Sequence, residues 1–130
     1  MVSKSGKKFE NVSKLFNHAA HNGSNYLNGH CFVSIMLCVP VLDHDKISYL
    51  SVPLGYRMWQ KKESKLELAA SMIRQVMPEF LSKEHVIILC DSWYTKKNLV
   101  SIIDEYPNLD LIGNARIDSV MYDLACLLYT

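Results

Sequence analysis

The fold of this 130-residue chain is decided by the stretch Glu84-His-Val-Ile-Ile-Leu-Cys-Asp91-Ser-Trp-Tyr94. Its apolar run from Val86 to Cys90 contains β-branched residues, which predicts a short strand covered on both faces. Asp91 ends the run, because an ionised carboxylate does not fit a packed, pleated surface. We therefore expect Asp91 at the carboxyl edge of a sheet, where open α/β sheets bind ligands. The same residue would equally suit the N-cap of a following helix.

A helix and a second strand are predicted to follow this strand. Thr95 is a candidate N-cap, and Pro107 is the expected stop of the helix. The apolar positions between them fall on one stripe: Leu99, Ile102, Ile103 and Tyr106. Residues 109–116 then predict a last strand. A strand, helix, strand order implies a right-handed crossover and parallel pairing of the two strands.

Upstream, the chain predicts two strands before any secure helix. Residues 29–40 read as one long strand closed by a proline, which cannot donate to a sheet ladder. A short polar turn leads to residues 46–56, so the two strands should form an antiparallel hairpin. Ser64 and Glu67 then have the spacing of a capping box, and apolar residues follow at helical spacing up to Pro78. We expect a helix there.

The two ends of the chain have weaker patterns. Residues 1–28 predict an irregular segment, in which four apolar positions leave a short helix or a loop open. His18 and His21 could bring two imidazoles together on a helix, but a metal site needs further ligands. Residues 29–124 form the predicted core, and the apolar tail 125–130 indicates truncation.

Composition limits the class of protein. A hydrophobic share of 49% and a charged share of 21% are ordinary for one globular domain. The net charge of +1 excludes a generally basic nucleic-acid binder, so any such contact must come from local patches. The four cysteines lack Cys-x-x-Cys spacing and lie in or beside apolar runs, which predicts buried reduced thiols. Without a secretory signal or a membrane-spanning run, the chain is expected to be cytoplasmic.

Several motifs occur together in one order. Asp91-Ser-Trp-Tyr-Thr95 is followed by an Asn-Leu-x-x-x-Ile-x-Glu segment and by Gly113-Asn-Ala-Arg-Ile-Asp-Ser-Val-Met-Tyr-Asp-Leu124. Ser3-Lys-Ser-Gly-Lys-Lys8 and Val52-Pro-Leu-Gly-Tyr-Arg57 add to the pattern. Together they resemble the middle of an insertion-sequence transposase of the DDE superfamily, over nearly the whole chain up to about Leu124. The resemblance implies an incomplete ribonuclease-H-like α/β fold, a mixed sheet in which an antiparallel hairpin precedes parallel strands with crossover helices.

The resemblance also implies a function. Such transposases cut and join DNA strands by metal-dependent phosphoryl transfer, with Asp, Asp and Glu holding two Mg²⁺ or Mn²⁺ ions. Asp91 matches the second Asp, whereas the first Asp and the Glu have no match in this chain. We therefore expect a catalytic-domain fragment, truncated at both ends, that binds metal weakly or not at all and is inactive alone. Its opened sheet edges would favour self-association.

Five side chains near the predicted catalytic carboxylate are candidates for DNA contact. Arg116 follows the second parallel strand at the same carboxyl edge, and Lys96 and Lys97 lie in the first turn of the predicted helix. Trp93 and Tyr94 could stack on an unpaired base or pack over the end of the sheet. Solvated charge is the alternative for the lysines. Two later acids, Asp118 and Asp123, could also approach the site.

Two other functions stay open at this point. A noncatalytic interaction module would need none of the missing acids. A receiver-like regulatory domain would use Asp91 to accept a phosphoryl group. That fold repeats strand-helix units from its start, and residues 29–56 predict two strands with no helix between them.

Overall fold

The computed structural model describes residues 2–3, 9–16 and 25–119. The chain forms two compact units, unit 1 over residues 1–80 and unit 2 over residues 81–130. Its described part is a mixed α/β structure with small antiparallel and parallel sheets. The His18 and His21 pair and the apolar tail lie outside the described residues.

Unit 1 opens with a three-stranded antiparallel sheet. Its strands β1 (Val2–Ser3), β2 (Ser13–Phe16) and β3 (Tyr26–His30) pair in the order β1-β3-β2. Within β2, Leu15 is buried and its neighbours Lys14 and Phe16 are exposed. For Leu15 and Phe16 both the short helix and the loop are wrong, because β2 is fixed by pairing with β3, which no local spacing reveals.

A long antiparallel hairpin follows, as predicted. It consists of β4 (Phe32–Asp43) and β5 (Lys46–Met58), with register from Phe32↔Met58 to Asp43↔Lys46. The single strand predicted over residues 29–40 is wrong in two ways. The chain leaves β3 at His30 and enters a different sheet at Phe32, and Pro40 lies within β4 opposite Tyr49 instead of closing it.

Helix α1 (Lys65–Val76) covers one face of the hairpin near its base. The predicted capping box is confirmed, since Ser64 Oγ accepts from Glu67 N at 3.1 Å and Glu67 Oε2 accepts from Ser64 N at 2.8 Å. A short 3-10 turn containing Pro78 ends the helix. The core beneath α1 combines Val33 of β4 with apolar helix residues: Leu66, Leu68, Ala69, Ala70 and Met72.

Unit 2 is built on a parallel pair of strands, which confirms the predicted parallel pairing. Strand β6 (Val86–Cys90) pairs with β7 (Leu109–Gly113) in register from Val86↔Leu109 to Cys90↔Gly113. Between them lie α2 (Lys97–Val100) and a 3-10 helix, Ser101–Glu105. Leu99 and Ile102 from this helical segment are 2% and 0% exposed and form the centre of the unit's core.

Strand β6 is covered on one face only, which corrects the expectation of burial on both. Burial alternates along the strand, and Ile87 and Leu89 are 46% and 70% exposed. Ile112 of β7 lies on the same face and is 58% exposed. In the described residues β4–β5 and β6–β7 form separate two-stranded sheets, so the single mixed sheet is not seen there.

Two further sequence expectations concern cysteines and membranes. Cys38 is exposed and Cys31 and Cys90 are half-buried, so the prediction of buried thiols is wrong for these three residues. All three are free of disulfides. No helix in the described ranges combines the length and apolar character needed to cross a bilayer.

Candidate functional site at the end of β6

Asp91 follows β6 directly and is exposed, at the strand end where the sequence places it. Its Oδ1 accepts from Trp93 N at 2.9 Å, and its carbonyl accepts from Tyr94 N at 3.0 Å. The carboxylate therefore closes a tight turn of the kind that aspartate favours. Asp91 does not cap α2, which begins at Lys97 after an N-cap at Lys96. That alternative is wrong.

Thr95 ties together the loops that follow the two strands. Its Oγ1 lies 2.9 Å from both the Ser92 carbonyl and the Asn114 carbonyl, so its one hydroxyl hydrogen is shared between two acceptors. The predicted role of Thr95 as helix cap is wrong, since Lys96 occupies that position and makes no side-chain capping bond. The threonine instead holds the carboxyl ends of β6 and β7 beside each other.

Gly113 allows the close approach on which this tie depends. A Cβ at Gly113 would lie 2.5 Å from Thr95 Cγ2 and 2.9 Å from Cys90 Sγ, well inside contact distance. Only a residue without a side chain fits there undisturbed. This role of Gly113 was not predicted from the sequence. The available signal was a glycine at the last position of the second parallel strand.

Arg116 and Asp118 form a bidentate ion pair after β7. Arg116 Nε donates to Asp118 Oδ1 at 2.7 Å, and Nη2 donates to Oδ2 at 2.8 Å. The hydrogen bond from Arg116 lowers the pKa of Asp118, and the same bond raises the pKa of Arg116. Both side chains remain accessible, at 41% and 62% exposure. A phosphate approaching Arg116 would therefore compete with Asp118.

The aromatic and basic candidates also come together at this edge. The Trp93 and Tyr94 rings meet edge to face at 5.1 Å, and Lys96 Nζ lies 5.5 Å from the Trp93 ring centroid. Trp93 is 39% exposed, whereas Tyr94 is half-buried. Lys97 is exposed at the first position of α2. The edge thus presents one carboxylate, an indole and lysines.

The described residues do not fit a divalent metal site. They contain no group of three or more His, Cys, Asp or Glu side chains placed to hold an ion. Asp91 already accepts one hydrogen bond from Trp93 N, and Asp118 is engaged by Arg116. Burial, and then the charge of Asp91, raises the pKa of the Cys90 thiol, which disfavours a thiolate nucleophile at this position.

No protein-family model matches this chain, and neither the curated proteins nor the solved structures give a match. Any functional proposal for this chain therefore rests on the sequence motifs and on the geometry around Asp91. The feature with most chemical content is an exposed, oriented carboxylate at the carboxyl end of a parallel strand.

Proposed function

We propose that this chain is part of the catalytic domain of a DDE transposase with a ribonuclease-H-like fold, which cuts and joins DNA during transposition. Asp91 would be one of three carboxylates that hold Mg²⁺ or Mn²⁺ in the intact enzyme. The observation that carries the proposal is the exposed Asp91 carboxylate where β6 ends, beside the end of the parallel strand β7. Ligands of open α/β sheets bind at this edge.

The local geometry supports a functional Asp91 in two respects. The hydrogen bond from Trp93 N orients one carboxylate oxygen, and an ionised carboxylate has a second oxygen that can accept or bind a cation. The Thr95 bonds and the close contact at Gly113 hold the two strand ends together. A fixed position is what a metal ligand or catalytic group needs.

The other two carboxylates of the proposed site would come from outside the described residues. Within unit 2, Asp104 and Glu105 lie exposed on the 3-10 helix, and Asp118 is engaged by Arg116. One carboxylate does not displace the hydration shell of a pair of divalent ions. The proposal therefore includes the expectation that this chain alone cleaves no DNA.

DNA is the proposed partner, and phosphates are the groups that would meet this edge. Lys96, beside the Trp93 ring, and Arg116, after β7, supply positive charge in the segments that follow the two strands, and the exposed face of Trp93 offers a stacking surface for an unpaired base. To bind a phosphate, the Arg116 guanidinium would have to release the Asp118 carboxylate. The cytoplasmic location expected from the sequence remains part of this proposal.

The decisive experiment uses the reading frame that encodes this chain, with the genomic sequence on both sides. We expect it to encode an Asp upstream and a Glu on a downstream helix, and its product to cleave the DNA ends of its own element with Mg²⁺. Asp91→Asn should lower the cleavage rate by about 10³-fold or more, as loss of a catalytic group does. Asp104→Asn is the matched control in the same unit. Wild-type cleavage by Asp91→Asn, or a frame without those acids, would overturn the proposal.

A second candidate is a noncatalytic interaction module, favoured by one observation. The distal half of the β4–β5 hairpin exposes large apolar side chains, among them Leu42, Ile47 and Tyr49. Exposed apolar patches often mark contact surfaces. The receiver-like alternative is not supported, because β4 and β5 form a hairpin with no helix between them. In an interaction module, Asp91→Asn would leave partner binding unchanged.

A further inference from the structure

A group of lysines and aromatic rings lies in unit 1, where the segment between β5 and α1 contacts β2. It consists of Lys14 from β2, Trp59, Lys61 and Lys62 from the segment after β5, and Lys65 at the start of α1. We call these five residues the lysine surface.

One hydrogen bond joins the parts of this surface. Lys61 Nζ donates to the Lys14 carbonyl at 2.7 Å, bridging positions separated by 47 residues. Lys61 also has a φ of 64°, a left-handed conformation that is uncommon for residues other than glycine. The segment after β5 thus contacts strand β2 through the Lys61 side chain.

Aromatic rings are interleaved with the cations. Lys65 Nζ lies 4.7 Å from the Trp59 ring centroid, and Trp59 Nε1 donates to the Glu63 carbonyl at 2.7 Å. On the β2–β3 sheet, Lys14 Nζ lies 4.9 Å from the centroid of Tyr26, which is about half exposed. Each ring therefore holds an ammonium group near its face, at distances typical of cation–π contacts.

Positive charge exceeds negative charge at this surface. The lysine surface contains four lysines, and the segment from Trp59 to Glu67 contains two glutamates, Glu63 and Glu67. Glu67 is engaged with the N-terminus of α1, where hydrogen bonds from Ser64 lower its pKa. Lys65 lies in the same first turn, although the helix dipole disfavours a cation there. Across the described ranges, Lys61 and Lys62 form no salt bridge, so no carboxylate of those ranges is paired with them.

We propose that the lysine surface binds the phosphodiester backbone of a nucleic acid. Clustered exposed lysines are the usual partners of backbone phosphates, and neighbouring aromatic rings add stacking where bases are unpaired. The surface belongs to unit 1 and does not depend on the proposed role of Asp91. Single strands and duplexes offer the same phosphate chemistry, and the experiment distinguishes them.

The test measures binding of the whole 130-residue chain to fluorescently labelled oligonucleotides, single-stranded and duplex, over a range of salt concentrations. Changing Lys61 and Lys62 together to Glu should raise the Kd by about tenfold or more at low salt. The slope of log K against log salt should fall by about two, roughly one for each phosphate contact removed. The matched control, Lys46→Glu with Lys83→Glu, has the same net charge and should keep wild-type affinity.

A milder variant protects the test against misfolding. Lys62→Gln changes one exposed side chain and should lower the salt slope by about one, with an unchanged thermal melt. Tighter binding of single strands would assign a stacking role to Trp59 and Tyr26, and equal binding would assign the affinity to the backbone alone. Absence of binding, or equal loss in the control pair, would overturn the proposal. The transposase proposal is tested separately, by the cleavage rate of Asp91→Asn in the product of the reading frame that contains this chain, so the two proposals can fail independently.

Discussion

In unit 1 a twelve-residue helix covers one face of an antiparallel hairpin. In unit 2 a four-residue helix and a 3-10 helix connect two parallel strands that pair directly with each other. The first arrangement is fixed by local interactions, which are the short turn between β4 and β5 and the capping box formed by Ser64 and Glu67. The second is fixed by contacts between segments far apart in sequence, such as Thr95 with Asn114. The candidate site around Asp91 lies at the end fixed by those distant contacts, so its geometry should be more easily disturbed.

The largest expected effect comes from the core of unit 2. Ile102 is 0% exposed, so Ile102→Ala should remove buried contacts and leave a cavity, lowering the free energy of unfolding by about 2–5 kcal/mol. The measurement is urea denaturation followed by circular dichroism. Ile112→Ala provides the control, since the same side chain is 58% exposed there, and its cost should stay below about 1 kcal/mol. Equal costs would mean that the face with Ile112 is covered in solution.

Alanine substitutions at one glycine of each unit, Gly113 and Gly55, compare the packing of the two units. Ala at Gly113 would place a Cβ 2.5 Å from Thr95 Cγ2, whereas Ala at Gly55 would meet Met72 Cε at an ordinary 3.7 Å. Gly113→Ala should therefore destabilise the protein by about 1–3 kcal/mol through overpacking. Gly55→Ala should change stability by less than about 1 kcal/mol, because a compatible alanine also restricts the unfolded chain. Equal effects would show that the Thr95 contact does not hold the strand ends.

Sequence patterns predicted the structure where the deciding interactions are local. The Ser64–Glu67 spacing identified the start of α1, and the polar turn identified the hairpin. The parallel pairing of β6 and β7 was predictable from the order of elements, because a helical connection returns the chain to the starting end of the first strand. The position of Asp91 after a strand was also predictable, since a carboxylate ends an apolar run.

Patterns failed where a distant partner decides the conformation. Strand β2 forms because β3 pairs with it, and the helical spacing of its apolar residues says nothing about that partner. Leu89 stands in an apolar run that suggests full burial, yet it is 70% exposed, since hydrophobicity does not reveal which faces are covered. At the candidate site, the Thr95 tie and the need for glycine at position 113 depend on two loops meeting, which spacing alone cannot show.

Substitutions at the N-caps of α1 and α2 test how much capping stabilises each unit. Ser64→Ala removes the side-chain acceptor of α1 and should cost about 1 kcal/mol. Lys96 occupies the N-cap of α2 without a side-chain capping bond, so Lys96→Ser should gain up to about 1 kcal/mol. Thermal melts of the two variants and of the double variant measure both effects. Loss of stability in Lys96→Ser would show that its contact with Trp93 outweighs a cap.

The smallest effects concern two carboxylates whose pKa values are lowered for different reasons. Hydrogen bonds from Ser64 lower the pKa of Glu67, whereas Arg116, by a hydrogen bond and by its charge, lowers the pKa of Asp118. In both cases the deprotonated form is favoured by folding. The associated stability is therefore present above the pKa of the unfolded chain and is lost as the pH falls through the folded value.

NMR titration of the two side-chain carboxyls separates these causes. Arg116→Gln should return the pKa of Asp118 toward the ordinary aspartate range and leave Glu67 unchanged, and Ser64→Ala should do the reverse. Raising the salt concentration to about 1 M should move Asp118 more than Glu67, because screening weakens an exposed ion pair more than a short backbone hydrogen bond. Equal salt shifts would mean that Asp118 in solution is held by neutral hydrogen bonds, leaving the Arg116 guanidinium available to a phosphate.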